Sequence, residues 1–410
     1  MAKLSSSNGI EKFPKLRFPE FKEPYRSARL GEIAILINRT DPKSAAPIMM
    51  LSAGNGFIMQ SDKYSRYNAG QSLKKYILLK KGELAYNHGA SKAKQFGCCY
   101  ELLEDEALIP YVYHCFKVDK NEYTPYVAFL LNNPKIDRQL KRLVSSSARM
   151  DGLLNISFKD YMSINLSLPP YAEQKQVSDF IKRIDERIVI QEQLISSLKK
   201  YKRGVIQHIF RSHAKTDEKS KWTYVRLGDI FKKVSRRNSN GEIKNVITNS
   251  AEYGLIPQRD FFDKDIAVDG NTTNYYVIEY GDFVYNPRKS RTAPYGPCNR
   301  YTLRDKGIIS PLYTCLVLQS DINPSYLAWY FKSDAWYRYI YDNGSQGVRH
   351  DRVSMTDDLL MSIPVILPNK KRQQKIADML DMIESKLHMV QQEYEFLLQI
   401  KDGCMQQLFI

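Results

Sequence analysis

The stretch SLPPYAEQKQVSDFI at residues 167–181 opens a long helical pattern, and ILPNKKRQQKIADML at residues 366–380 opens a second one 199 positions later. Each continues without an interior proline, as a long α-helix requires. Apolar residues recur in both in steps of four and three, which is the spacing of a coiled coil. The two stretches therefore predict two long helices with one apolar seam each. The first seam consists of Val177, Ile181, Ile184, Ile188, Ile195, Leu198 and Lys202, and the second of Ile376, Leu380, Ile383, Leu387, Val390, Leu397 and Lys401.

A lysine occupies the same seam position in both helices, at Lys202 and Lys401. A buried seam lysine costs stability and can fix the register of a helix pair. Near a helix end, the same side chain can extend to solvent along its aliphatic stem. The sequence favours the first interpretation and leaves the second open.

The rest of the chain is also duplicated at an offset of about 199 residues, which indicates an internal repeat. ARLGEI (28–33) matches VRLGDI (225–230), and KKGELAYN (80–87) matches EYGDFVYN (279–286). The matched runs are short and β-rich, with Gly, Pro and Asn between them. The predicted fold class is α/β (α+β), with two similar globular domains and two long antiparallel coiled-coil helices in a pseudo-twofold repeat. The predicted boundaries are 1–166 and 214–366 for the domains and 167–213 and 367–410 for the helices.

Composition favours a folded protein with a polyanionic partner. Of the 410 residues, 43% are hydrophobic, enough for proper cores, and the net charge is +16. Most of the excess charge lies in the globular parts, where a surface for the DNA backbone is expected. No run of 18 apolar residues and no N-terminal apolar signal is present, so we expect a cytoplasmic protein. The six cysteines lack metal-ligand spacing and are expected to be reduced, with no metal site.

The tripeptide Pro169-Pro170-Tyr171 is similar to an active-site motif of DNA amino-methyltransferases. The residue before it is Leu168, whose side chain cannot accept a hydrogen bond from an amine, and the second repeat lacks the motif. The two prolines are better interpreted as the break before the helix. No GxxxxGK[ST] loop is present, so we expect no catalytic residue in this chain.

Three places combine basic, polar and glycine residues at matched positions of the repeat, as a surface that reads DNA would need. The alternative for each is a solvated turn. The candidate residues are Lys92, Lys94 and Gln95 with Arg288, Lys289, Arg291 and Thr292 in the first place, Arg149 with Gln346, Arg349 and His350 in the second, and Arg236 and Arg237 in the third. Because these loops differ between the repeats, the two units should recognise different sequences.

The duplicated layout resembles the specificity subunit of type I restriction-modification systems. The resemblance is carried by Leu168, Pro169, Glu173, Gln174, Val177, Ile181 and Asp185, by Leu367, Pro368, Gln373, Ile376, Leu380 and Asp381, and by the helix ends Lys202, Gln207 and Phe210 with Lys401, Gln406 and Phe409. The opening PKLRFPEF with RLGEI is also similar to that family. The chain departs from the family's pattern at Arg372, where Glu is usual, and at Asp381, which is off the position matching Asp185.

This resemblance implies a non-catalytic, sequence-specific subunit whose two globular domains are target recognition domains. Each would bind one half of a split, asymmetric site in double-stranded DNA, with the helices measuring the spacer. It implies two modification (methyltransferase) subunits and two restriction (translocase-nuclease) subunits as partners. S-adenosylmethionine, ATP and Mg are expected in those subunits and no cofactor in this chain. The alternatives are a helical scaffold that does not read DNA and a fragment of a fused restriction-methyltransferase enzyme.

Overall fold

The structure is a computed structural model that describes residues 13–63, 70–92, 94–144, 154–212, 222–260, 272–344 and 351–410. The chain forms two compact units. Unit 1 consists of Met1–Gln191 and Glu393–Ile410, and unit 2 of Glu192–Gln392. Each unit therefore combines one globular part with segments of both long helices. The boundaries predicted from the sequence, at residues 166, 213 and 366, lie between helices and globular parts and not between the two compact units. These boundaries stay predictions.

Unit 1 is built from short strands and short helices that alternate along the chain, and it ends with the start of a long helix. Its strands are β1 (Arg26–Arg29), β2 (Ala34–Leu36), β3 (Met49–Ser52), β4 (Gly56–Met59), β5 (Ile77–Lys80), β6 (Leu84–Asn87), β7 (Cys98–Glu101), β8 (Glu106–Ile109), β9 (His114–Val118) and β10 (Asn165–Leu168). Its helices are α1 (Leu30–Ile33), α2 (Gln60–Lys63), α3 (Thr124–Leu131), α4 (Pro134–Leu143), α5 (Phe158–Met162) and the first half of α6 (Tyr171–Ser212), with a 3₁₀ turn at Gly70–Lys75.

The centre of unit 1 is a four-stranded antiparallel sheet in the order β2-β9-β6-β7. Because side chains alternate along a strand, its two faces belong to different cores. Leu84 and Tyr86 of β6 pack with the helices, whereas Ala85 between them packs with the strand pairs β3-β4 and β5-β8. The pair β1-β10 closes the unit just before α6 begins.

Unit 2 repeats the same elements. Its strands are β11 (Thr223–Arg226), β12 (Phe231–Val234), β13 (Ile247–Ser250), β14 (Gly254–Pro257), β15 (Tyr276–Ile278), β16 (Phe283–Tyr285), β17 (Cys298–Arg300), β18 (Gly307–Ile309), β19 (Thr314–Leu318) and β20 (Pro364–Leu367). Its helices are α7 (Leu227–Ile230), α8 (Pro324–Phe331), α9 (Tyr337–Asn343), α10 (Asp357–Met361) and the N-terminal part of α11 (Lys370–Gln407), with a 3₁₀ turn at Gln258–Asp260.

The sheet order in unit 2, β12-β19-β16-β17, is that of unit 1 strand for strand. The pairs β11-β20, β13-β14 and β15-β18 likewise correspond to β1-β10, β3-β4 and β5-β8. The internal repeat predicted from the sequence is therefore a repeat of structure, and the predicted fold class is confirmed.

A buried glutamine anchors the start of each long helix. Gln174 accepts a hydrogen bond from the backbone N–H of Tyr123 at 2.8 Å and donates to the Pro169 carbonyl at 2.9 Å. Gln373 repeats both contacts, with Asn323 N–H at 3.0 Å and the Pro368 carbonyl at 2.8 Å. The Leu-Pro-x-x-x-x-Gln pattern thus ties each helix start to the strand before it and to a second helix of its unit.

The residue before this glutamine differs between the repeats. Glu173 is fully buried and accepts from Arg17 at 2.8 and 2.7 Å and from the Tyr25 hydroxyl at 3.0 Å. Its counterpart Arg372 instead lies over the Trp222 ring, 5.1 Å from the ring centroid. The departure from the family pattern therefore coincides with a different partner, an aromatic ring in place of an arginine.

The end of each long helix carries a phenylalanine that lies in the core of a unit. Phe409 is fully buried in unit 1, with its ring 5.1 Å from that of Tyr126. Phe210 is 1% exposed in unit 2, 5.6 Å from the Tyr326 ring. Each globular part is thus packed against the helix that follows it and the end of the other helix.

The helix segments run antiparallel in unit 1, where Asp185 pairs with Lys401 at 2.6 Å and Arg187 with Glu393 at 3.0 Å. Every predicted seam residue is buried or half-buried. Gln191, which lies between Ile188 and Ile195 on the same side of the helix, is also buried, with 5% of its surface exposed.

Candidate nucleic-acid interface

The first predicted contact place forms one loop in each unit. Loop 1 (residues 88–97) joins β6 to β7, and loop 2 (residues 287–296) joins β16 to β17. A tyrosine closes each loop at its base. The Tyr86 hydroxyl donates to the Phe96 carbonyl at 2.7 Å, and the Tyr285 hydroxyl donates to the Tyr295 carbonyl at 2.9 Å.

An asparagine and a glycine fix the two ends of each loop. The side-chain oxygen of Asn87 accepts from Gly89 N–H at 2.9 Å, and that of Asn286 accepts from Arg288 N–H at 3.0 Å. Gly97 and Gly296 have φ angles of +82° and +81°. A Cβ atom there would lie 2.3 Å from the Asn87 carbonyl oxygen or 2.0 Å from that of Asn286, so only glycine fits.

The loop tips also share one backbone conformation. Ser91 donates its N–H to the Lys94 carbonyl at 2.9 Å, and Lys94 donates its N–H back to the Ser91 hydroxyl at 3.1 Å. Ser290 and Ala293 make the same two contacts, both at 3.0 Å. We call these shared tyrosine, asparagine, serine and glycine contacts the loop frame. It holds Lys92 and Arg291 at equivalent positions.

The candidate side chains of loop 1 differ in what they contact. The Lys94 ammonium donates to the Asn132 carbonyl at the end of α3, at 2.9 Å, so it serves as a helix cap. Lys92 and Gln95 are exposed, and their side chains have no polar partner in the part of the chain that the structure describes. Two of the three candidates are thus available to an outside ligand.

In loop 2, Arg288 lies 3.8 Å from the Asp351 carboxylate while remaining 69% exposed. Thr292 and Ser290 hydroxyls are 3.5 Å apart. Lys289 is half-buried and Arg291 exposed, and neither side chain has an ion-pair partner among the described residues. The same carboxylate lies 3.8 Å from Arg352, so four cations and one carboxylate lie where loop 2 meets residues 351–352.

The third predicted place has a structural contact in both units. Arg236 pairs with the carboxylates of Asp282 and, at 3.5 Å, Glu279, while its first-repeat counterpart Arg39 pairs with Glu83 at 2.6 Å. Burial raises the pKa of the Asp282 carboxyl, and the Glu279 N–H and the Arg236 charge oppose that rise. Arg237 is exposed and donates to the Asn274 side chain at 3.0 Å. Arg236 thus holds two loops together.

The second predicted place lies outside the described residues, since these do not include Arg149, Gln346, Arg349 or His350. The chain just after it is described and contacts the base of each loop. Leu154 N–H donates to the His88 carbonyl at 3.1 Å, and Val353 N–H to the Pro287 carbonyl at 2.9 Å.

Sequence reasoning missed a histidine pair beneath loop 1. The His88 and His114 ring centroids are 5.2 Å apart, and His114 Nε2 lies 2.8 Å from the Ile156 carbonyl oxygen. Burial lowers the pKa of both imidazoles, and the charge of His114 lowers that of His88 further. Unit 2 has Pro287 and Thr314 at these positions, so the repeat comparison could have drawn attention to the pair.

Within the described residues, no helix is long and apolar enough to cross a membrane. No three His, Cys, Asp or Glu side chains among them are grouped to hold a metal ion. All six cysteines are buried and free.

Residues 219–398 match the protein family described as "Type I restriction modification DNA specificity domain". They include the globular part of unit 2 and most of α11.

Two solved structures have a similar fold over nearly the whole chain. One, described as "Structural basis underlying complex assembly and conformational transition of the type I R-M system", has a TM-score of 0.56 at 15% identity over 95% of this chain and 98% of that one. The other, a type I restriction-modification S subunit from M. genitalium, has a TM-score of 0.55 at 14% identity over 97% and 99%. At these identities the likeness concerns the fold.

Proposed function

We propose that this chain, which carries a type I restriction modification DNA specificity domain and has the fold of a specificity subunit, recognises a split, asymmetric site in double-stranded DNA. Each unit contacts one half-site, and loops 1 and 2 enter the major groove. The chain itself is non-catalytic and acts in the cytoplasm.

The observation that carries this proposal is the pair of loops with one frame and different side chains. A frame repeated bond for bond suggests a shared task, and side chains that differ at its tip suggest different targets. Preorganised loops lose little conformational entropy on binding, which favours specific contacts. The net charge of +16 favours a duplex whose phosphates supply affinity without sequence preference.

Outward-facing apolar residues on the helices support a protein partner. In unit 1 these are Val189, Ile190 and Phe396, which are 49%, 55% and 61% exposed. In unit 2, Met382 and Met389 are 65% and 54% exposed. Clustered exposed apolar side chains mark interaction surfaces. We assign them to two modification subunits, which would bind S-adenosylmethionine, and two restriction subunits with ATP and Mg would complete the assembly.

The test is methylation-sensitive long-read sequencing of DNA from cells that express the chain with its cognate modification subunit. The expected result is one split, asymmetric motif with N6-methyladenine, absent when the modification subunit is expressed alone. No new motif from an intact complex would favour a scaffold that does not read DNA. Methyl transfer by the purified chain alone would instead favour a fused enzyme.

A further inference from the structure

Among the described basic side chains of loops 1 and 2, most have a partner or are partly buried. Lys94 caps α3, Arg288 lies near Asp351, and Lys289 is half-buried. Lys92 and Arg291 are the ones that are exposed and, within the described residues, unpaired. They also occupy the same position of the loop frame, directly after Ser91 or Ser290.

The loop frame fixes the backbone at the position of Lys92 and Arg291. The serine turn, the tyrosine tie and the glycine with positive φ hold the backbone of both tips by the same contacts. In loop 2 the tip cation Arg291 follows Arg288 and Lys289 in the same short loop, and the Asp351 carboxylate already lies 3.8 Å from both Arg288 and Arg352. An anionic or strongly accepting ligand would balance the excess of positive charge in this loop.

We infer that position 92/291 is the base-reading position of each loop and that it selects a guanine in each half-site, an inference that rests on the proposed function. Guanine presents O6 and N7 together in the major groove, the acceptor pair that arginine binds with two donors and that lysine also binds. Arg291 has a planar fork that matches this pair, whereas Lys92 has a single ammonium. Unit 2 therefore discriminates more strongly at this base pair than unit 1.

The experiment uses the chain in complex with its modification subunit and a randomised duplex DNA library as the probe. Bound DNA is sequenced for the wild type and for Arg291→Ala, Arg291→Lys and Lys92→Ala. Arg304→Ala is the matched control, because it removes one exposed cation from unit 2 at the opposite end of β17. Arg291→Lys keeps the charge, so it separates loss of the fork from loss of folding.

The expected result is that Arg291→Ala removes a guanine preference of about 5- to 150-fold at one base pair of one half-site. Lys92→Ala should do the same in the other half-site, Arg291→Lys should weaken the preference, and Arg304→Ala should leave it intact. The double variant Lys92→Arg with Arg291→Lys should make the first half-site the more strongly discriminating one.

Two results would overturn the inference. One is a loss of affinity that is equal for all sequences, which would assign these residues to phosphate. The other is an unchanged motif in Arg291→Ala. Both results can be interpreted only when the wild-type complex enriches a split motif. If the wild-type complex enriches none, the proposed function itself fails.

Discussion

Lys202 of α6 and Glu384 of α11 form an ion pair with 2.5 Å between Nζ and Oε2, and Lys401 and Asp185 form its repeat equivalent at 2.6 Å. Both lysines occupy a seam position and are bound by an acid of the facing helix. The sequence left open whether they fix the register or only extend to solvent, and these contacts favour the register. A helix that slipped by one turn would leave both charges unpaired in a partly apolar seam.

Reversing one charge of this pair tests its contribution. Lys202→Glu would oppose Glu384 and should lower the free energy of unfolding by about 1 kcal/mol, since the Lys202 side chain is only 21% exposed. Adding Glu384→Lys to Lys202→Glu should restore most of the lost stability. A double-mutant cycle measured by urea unfolding would give the coupling energy of the pair.

The control is the more exposed pair Arg187–Glu393, at 61% and 47% exposure, whose coupling should be below about 0.5 kcal/mol. Equal coupling in both pairs would mean that the seam position has no special role.

The same contacts explain what the sequence could predict. Seam spacing and the 199-residue offset depend on local pattern, and both are found in the structure. The role of Glu384 was missed because the family motif directed attention to Asp381, which instead accepts hydrogen bonds from Ser325 and Trp329. A sequence motif specifies residue types at fixed spacings. Which side chain faces Lys202 depends on how two helices that are far apart in the sequence pack together.

At the candidate interface, too, the sequence could not predict tertiary contacts. Basic residues at matched positions were found from the sequence, but their partners come from far along the chain. Lys94 binds a carbonyl 38 residues away, and Arg236 pairs with a carboxylate 46 residues away. Which cations stay unpaired is decided by this tertiary pairing, so composition could not separate Arg291 from Arg236.

The buried glutamine at the start of α11 should be important for stability. Gln373→Ala leaves the Pro368 carbonyl and Asn323 N–H without their partner, and buried unpaired groups cost about 1–3 kcal/mol each. We expect a loss of at least about 1 kcal/mol in the free energy of unfolding, measured by urea titration. Gln392→Ala, at an exposed position of the same helix, serves as control and should change it by less than about 0.5 kcal/mol.

Gly296→Ala should damage loop 2 specifically. The new Cβ would lie 2.0 Å from the Asn286 carbonyl oxygen at a φ of +81°, so the loop frame must open. We expect loss of recognition at the unit 2 half-site by library selection, with the unit 1 half-site retained. Gly54→Ala, whose Cβ would meet no atom within 4 Å, is the control. Retained recognition in Gly296→Ala would show that the frame does not position the reading side chains.

The histidine pair makes unit 1 sensitive to acid. Because burial lowers both imidazole pKa values below 6.5, the unfolded chain binds more protons than the folded one as pH falls. Stability from these residues is present above pH 6.5 and decreases as pH falls through the lowered values. The aromatic rings that face the pair are those of Tyr86, Phe158 and Tyr161.

Hydrogen exchange of β9 amides at pH 7.5 and pH 5.5 would measure this, with β19 of unit 2 as internal reference. We expect faster opening of β9 relative to β19 at the lower pH, after correction for intrinsic exchange. His114→Thr, which introduces the unit 2 residue, should reduce the difference. An equal response of both strands would contradict the prediction.

Lengthening the helix pair tests whether it measures the DNA spacer. Four residues inserted after Ser197 add about 6 Å to α6 and rotate the remainder of the helix by about 40°. The register of Lys202 with Glu384 puts Met389 opposite Ser197, so a second insertion of four residues after Met389 lengthens α11 at the same level. With both insertions, we expect the gap between the half-sites to grow by one or two base pairs, at about 3.4 Å each.

The insertion in α6 alone should move the seam out of register and abolish assembly. Methylation-sensitive sequencing measures the gap, and an unchanged gap in an intact complex with both insertions would exclude the helices as the ruler.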